Sequence, residues 1–182
     1  MVRQFKYHES KLLKKVDFLE YKNEKNIEQI RVIGRYNLKN REEYLQYGQL
    51  AYEARRLTKM LAKLDAKDTY RLEQENRLLD KLYDMGIIDT RNQMSKAATV
   101  TVEHFCRRRL AVVMCRNRMS ESIPRATKLI LQGHVRIGTE IVTDPAFLVT
   151  RGNEDFLTWV DSSKVKRHVL KYNDQLDDYD LL

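Results

Sequence analysis

RRRLAVVMCRNRMSESIPRATKLILQGHVRIGTEIVTDPAFLV, residues 107–149, encodes helices, a glycine stop and the beginnings of a small sheet. Val102, Cys106, Leu110 and Val113 recur at helical spacing, which predicts one helix from Thr101 to about Arg116 with this stripe inward. NRMSES is a tight connection. Ser122 is a good N-cap, and Pro124 is tolerated in the first turn of a second helix that runs to Gln132. Gly133 stops that helix by taking a left-handed conformation. HVRIG, EIV and AFLV follow as short strand candidates, separated by the turn signals Gly138-Thr139 and Asp144-Pro145. DFLTWV (155–160) is a last strand with alternating apolar residues.

The positive charge is concentrated here. Between residues 107 and 136 stand Arg107, Arg108, Arg109, Arg116, Arg118, Arg125, Lys128 and Arg136, against the single acid Glu121. That window holds nearly all of the chain's formal net charge of +8. At 100° per residue, Arg109 and Arg116 share one flank of the first helix, and Arg107 and Arg108 widen the basic surface. In the second helix Ile123, Ala126 and Ile130 make one face, and Arg125, Lys128 and Gln132 another. On the strand Val135 and Ile137 alternate inward, so His134 and Arg136 face out. A charged helix face is usually just a solvated face. A thirty-residue window almost free of acids is better explained as a phosphate-binding surface. His134 has two readings, a residue capping the helix end or a phosphate contact. Arg136 is hard to place in a core and is the better phosphate ligand.

Outward from this segment the chain reads as helical. Leu12, Leu13, Val16 and Leu19 lie at helical spacing within 9–23, ringed by Lys11, Lys14, Lys15 and Lys22. EQIRVIGRYNLKN (28–40) is irregular or briefly extended. Asn40, with Glu43 three residues on, opens a helix whose apolar stripe is Tyr47, Leu50, Ala54, Leu57, Leu61 and Leu64. Asp68 caps the next, which carries Leu72, Leu79 and Leu82 and ends at Gly86. DTRNQMSKAA (89–98) reads as a polar linker and the domain boundary. NDQLDDYDLL at the end holds four aspartates and no base, an expected solvated acidic tail.

Hydrophobic residues are 42% of the 182, enough for a core, while 33% charged residues require a heavily charged surface. The pI of about 9.4 favours a polyanionic partner, nucleic acid or an anionic membrane surface. No apolar run approaches the roughly 20 residues of a membrane span, and the charged N-terminus is unlike a signal peptide. Cys106 and Cys115, placed in one helix about 13 Å apart along its axis, are too distant for a disulfide or a shared zinc. Reduced structural thiols suit an intracellular compartment.

Arg109-Leu110, Ser122, Ala126 and Gly133-His134-Val135 match in register the pattern of the S4 (alpha-L) RNA-binding domain, which residues 107–149 resemble. The resemblance implies two helices packed on a small sheet and docked on structured RNA. IGRYNLKNREEY, EARRLTKMLAKLDAKD and LLDKLYDMGIID are similar to the helical part of the small-subunit ribosomal protein of this class. The two ends, MVRQFKYHESKLLKKVDFLEY and WVDSSKVKRHVLKYNDQLDDYD, resemble the Imp family of the U3 small nucleolar ribonucleoprotein, which extends the likeness to essentially the whole chain. The ribosomal protein is expected to end in a Gly- and Arg-rich basic tail; this chain ends acidic, which ranks the assembly factor above the ribosomal protein. The Imp likeness implies a nucleolar component of the small-subunit processome. It would bind U3 RNA and promote its pairing with precursor rRNA, beside the scaffold protein Mpp10 and the companion Imp protein.

Enzymatic readings lack parts. QMSKA (93–97) is superficially like the KMSKS loop of tyrosyl-tRNA synthetases, but the nucleotide-binding domain those enzymes need is missing. Pseudouridine synthases carry S4 domains, yet their catalytic domain exceeds the space left, so an enzyme fragment is the weakest alternative. There is no Walker loop, no G-x-S-x-G, no Cys/His metal set, and His8, His104, His134 and His168 are scattered. The expectation is an α+β chain with no catalysis, cofactor, metal, small-molecule substrate or membrane partner. Its parts are a basic amphipathic helix (1–27), a helical region (28–98), an S4 domain (99–165) and a C-terminal extension with the acidic tail (166–182). The expected RNA contacts are Arg107, Arg108, Arg109, Arg116, Arg118, Arg125, Lys128, His134 and Arg136.

Overall fold

A computed structural model describes residues 3–15 and 24–175, which form two compact units divided at Arg107/Arg108. Val16, Phe18, Leu19, Tyr21 and Lys22 of the expected N-terminal helix, and the tail from Leu176 onward, lie outside the described residues.

The first unit is helical. α1 is Tyr7–Leu13, α2 Glu24–Arg35, α3 Arg41–Leu61, α4 Thr69–Asp84, α5 Met94–Ala98 and α6 Val102–Cys106. Two of these depart from the sequence reading. Residues 28–35, expected to be irregular, belong to α2. Val32, Ile33 and Gly34 are weak helix formers, but Ile33 is buried here and Tyr36 and Leu38 just beyond, so packing overrides propensity. The expected linker 89–98 ends in α5, whose Ala97 is fully buried beside Val100. The inward face of α3 is Tyr47, Ala51, Ala54 and Thr58, with Thr58 Oγ1 donating to the Ala54 carbonyl at 2.9 Å. Leu50, Leu57 and Leu64 of the expected stripe are exposed, because small residues let the neighbouring helices come close. Tyr47 stacks on Phe105 with ring centroids 6.3 Å apart. Asn40 occupies the N-cap of α3 without a side-chain capping bond, whereas Asp68 caps α4 by accepting from the Tyr70 N–H at 3.0 Å. Gly86, at φ 73°, ends α4 as expected.

The second unit is α+β. α7 is Leu110–Arg116, α8 Ile123–Leu131, β1 Val135–Ile137, β2 Glu140–Ile141, α9 Arg151–Glu154, β3 Leu157–Trp159 and α10 Lys164–Tyr172. The sheet is antiparallel in the order β2-β1-β3, with Arg136 opposite Ile141 on one side and Thr158 on the other. Gly138-Thr139 makes the two-residue turn between β1 and β2. α7 and α8 pack on this sheet through Leu110, Val113, Met114, Ala126, Ile130, Val135, Val149 and Leu157. Burying each of these side chains other than Ala126 stabilises the fold by about 1.5–3 kcal/mol before the cost of ordering the chain.

The single helix expected over 101–116 is two. The Arg107 N–H closes α6 on the Glu103 carbonyl at 2.9 Å. The Leu110 N–H then goes to the Phe147 carbonyl, and the Val149 N–H to the Arg108 carbonyl, each at 2.8 Å. A loop more than thirty residues downstream thus takes the backbone groups that a continuous helix would use. AFLV is therefore no strand; it contributes only a bridge between Leu148 and Arg109. Cys106 and Cys115 fall in different helices, neither in a disulfide, with Cys106 buried. Helices α9 and α10 were not anticipated. Ser163 marks the start of α10, its Oγ accepting from the Val165 N–H at 3.2 Å.

Candidate RNA-binding surface

The nine expected contact residues separate into three groups. The first supports the fold. Arg108, expected on the surface, is 5% exposed. Its Nε and one terminal nitrogen donate to the Val149 carbonyl at 2.9 and 2.7 Å, and the other donates to Glu154 at 3.0 Å. Burial pulls the Arg108 guanidinium below the usual arginine range, and Glu154 opposes that shift. Arg109 is 3% exposed at the N-cap of α7, so it does not share a flank with Arg116. Helical geometry misplaced both because it assumed an unbroken helix.

The second group reaches the surface, with Arg107 and Arg116 exposed and His134 and Arg136 half-buried, but is bound to acids or polar partners. Arg116 donates to the same Glu154 that holds Arg108. Burial pushes the Glu154 carboxyl up, but the bonds from Arg116 and Arg108 outweigh it and leave it below the usual glutamate range. Arg136 straddles Asp161 with bonds of 2.6 and 3.3 Å and reaches Thr158 Oγ1 at 3.2 Å. Lys166 joins the same carboxylate at 2.6 Å, and with Arg136 it lowers the Asp161 pKa. His134 is engaged within the unit through its backbone and its ring. Its N–H closes α8 on the Leu129 carbonyl at 3.2 Å, and its Nδ1 is hydrogen-bonded to Ser163 Oγ at 2.9 Å. Arg107 belongs to the first unit, where it contacts Tyr36 and Glu103 at 3.4 and 3.3 Å.

The third group stays available. Lys128 is exposed on α8, and no acid among the described residues is in ion-pair contact with it. Among the described residues Arg125 meets only Glu121, at 3.2 Å, with both side chains more than 60% exposed, an ion pair of little net worth. Arg118 is exposed just past α7 at φ 58°, where its N–H and that of Met119 return to Cys115 and Met114. Arg118, Arg125 and Lys128 thus flank the α7–α8 connection, with three flexible cationic donors facing solvent. Lys164, Arg167 and Lys171 on α10, beside the Asp161-bound Lys166, add charge that the sequence reading assigned to an extension. The signal for them was present in SSKVKRHVLKY, a serine cap followed by bases and Val165/Val169 at helical spacing.

The profile of the ribosomal protein S4/S9 N-terminal domain matches residues 4–107, and that of the S4 domain matches residues 108–155. The two matches meet where the two compact units do. The chain is 50% identical to the U3 small nucleolar ribonucleoprotein protein IMP3 of Mus musculus over 182 residues, all of this chain and 99% of the mouse protein. It is 48% identical to IMP3 of Saccharomyces cerevisiae over 181 residues, 99% of each. The chain belongs to the IMP3 family. Similarity to the small ribosomal subunit protein uS4 of Sulfurisphaera tokodaii is lower, 32% over 145 residues, 79% of this chain and 81% of that protein. IMP3 proteins therefore match this chain end to end, and uS4 does not. In this IMP3-family chain the S4 unit keeps Arg118, Arg125 and Lys128 on its surface and uses Arg108 internally.

Proposed function

We propose that this chain is a non-catalytic RNA-binding factor of ribosome assembly, a component of the U3 small nucleolar ribonucleoprotein in the nucleolar small-subunit processome. The observation that carries the proposal is the end-to-end identity with IMP3 proteins of animals and yeast. In this reading the chain promotes pairing of U3 RNA with precursor rRNA. Two RNA strands that must pair repel through their phosphates, and a cationic surface lowers that barrier without chemistry. Arg118, Arg125 and Lys128 serve as backbone contacts, and structured RNA is met largely by shape. Mpp10 and the companion Imp protein are the proposed protein partners.

Crosslinking the tagged protein in cells and sequencing the attached RNA tests the proposal. Reads in U3 RNA and precursor spacers, with sedimentation in large pre-ribosomal particles, are expected. One copy per mature small subunit on polysomes would replace this reading with that of a structural ribosomal protein.

A further inference from the structure

We propose that the outward face of α3 is a second nucleic-acid site, one that holds a single-stranded RNA segment with its backbone along Arg55, Arg56, Lys59 and Lys63 and a base on Tyr52. These residues line a groove of about 650 Å³ in the helical unit, with Met60 in its wall and the end of α5 at its side. Arg55, Arg56 and Lys59 stand 3, 4 and 7 residues past Tyr52, on one face of α3, and Lys63 lies in the turn just past its end. Tyr52 to Lys59 spans about 10 Å of helix axis and Lys63 carries the groove past the helix end, room for a few nucleotides.

Its charge is of one sign. Glu53 is the one acid between Tyr52 and Lys63, and it reaches only Arg56, at 3.6 Å with both side chains more than half exposed. Lys59 and Lys63 are exposed, with no acid in ion-pair contact among the described residues. The Arg55 Nε donates to the Ala51 carbonyl at 3.2 Å, which lays the side chain along the helix and leaves its terminal nitrogens for a ligand. Tyr52 is 58% exposed amid these cations. A solvated helix face needs no aromatic ring there. A single strand of RNA does, because phosphates follow the basic groove while a base stacks on the ring. An acidic peptide would satisfy the cations and leave Tyr52 without a role. This site lies on a different unit from Arg118, Arg125 and Lys128, and it relies on the RNA-binding reading only for the class of its ligand.

The test uses the full chain and a fluorescent oligouridine of roughly 12 nucleotides, followed by anisotropy across a salt series. Lys59→Gln/Lys63→Gln should weaken binding about tenfold and flatten the dependence of log affinity on log salt by roughly one to two. Tyr52→Ala should also weaken binding about tenfold with the salt slope unchanged, and Tyr52→Phe should restore it. Ultraviolet crosslinking should attach uridine to the peptide containing Tyr52. All substitutions are on exposed positions, so unchanged thermal melts accompany the expected result. Wild-type affinity in these variants, with Lys128→Gln still weakened, would overturn the groove and leave the S4 surface standing. Indifference of every variant, Lys128→Gln included, would overturn both. Competition by polyglutamate with Tyr52→Ala unaffected would assign the groove to an acidic peptide instead.

Discussion

Arg108 and Glu154 form an ion pair at 3.0 Å in which the arginine side chain is 6% exposed and the glutamate 23%. The pair joins the start of α7 to α9, and Arg116 closes on the same carboxylate from outside. A guanidinium so enclosed depends on its counter-ion, because stripping one partner leaves a buried charge. Glu154→Ala should therefore destabilise the S4 unit by about 2 kcal/mol, less than for a fully buried pair, since Arg108 keeps the Val149 carbonyl. Urea unfolding of wild type and variant measures this.

The same pair gives a pH dependence with a definite sign. The folded Glu154 carboxyl titrates below its ordinary value of 4.5, so its contribution is present above that pH and is lost as pH falls through the folded value. The stability gap between wild type and Glu154→Gln should be constant near neutrality and shrink below about pH 4.5. A gap that widens in acid would contradict the ion-pair assignment.

Arg118 is held at φ 58°, a conformation that costs a non-glycine residue about 1 kcal/mol. Arg118→Gly should raise stability by about that amount and weaken RNA binding through the lost cation. Opposite signs in the thermal melt and the binding titration are the expected signature of a residue kept at that position for its charge.

Charge reversal separates the surface arginines by role. Arg125→Glu/Lys128→Glu should weaken RNA binding at least tenfold at moderate salt with the melt nearly unchanged. Arg116→Glu should lower the melting temperature as well, because it sets a second carboxylate against Glu154. Equal melts for the two variants would remove Arg116 from the structural group.

Gly133 has φ 75°, and a Cβ built there meets nothing nearer than Ile141 Cγ2 at 3.9 Å. Space is adequate, so the penalty for Gly133→Val is conformational, about 1–2 kcal/mol. Denaturant midpoints of Gly133→Ala and Gly133→Val should both fall, with valine lower because it is β-branched.

Local chemistry was legible in residues 122–141. Pro124, Gly133 and the Gly138-Thr139 turn act through their own backbone preferences, so α8, the glycine stop and the β1–β2 hairpin follow from neighbouring residues, while Ser122 stands at the N-cap of α8 without the side-chain capping bond expected of it. The exposed cations Arg125 and Lys128 were legible for the same reason, because helical periodicity sorts side chains within one helix. The acid-poor window correctly marked where positive charge is concentrated, and the likeness to S4 and Imp proteins rested on residues that stand in register.

What happens to that charge was decided only by tertiary structure. Glu154 and Asp161, eighteen and twenty-five residues past Arg136, the window's last base, return to bind Arg108, Arg116 and Arg136. The break between α6 and α7 arises because Phe147 and Val149 take hydrogen bonds at 108–110, which turns Arg108 and Arg109 inward. Small Ala51 and Ala54, not the leucines of α3, face the core because close approach of helices needs little volume there. A sequence window carries periodicity and local backbone preference. It does not carry the long-range pairing of charges and backbone groups, which exists only once segments distant in the chain meet.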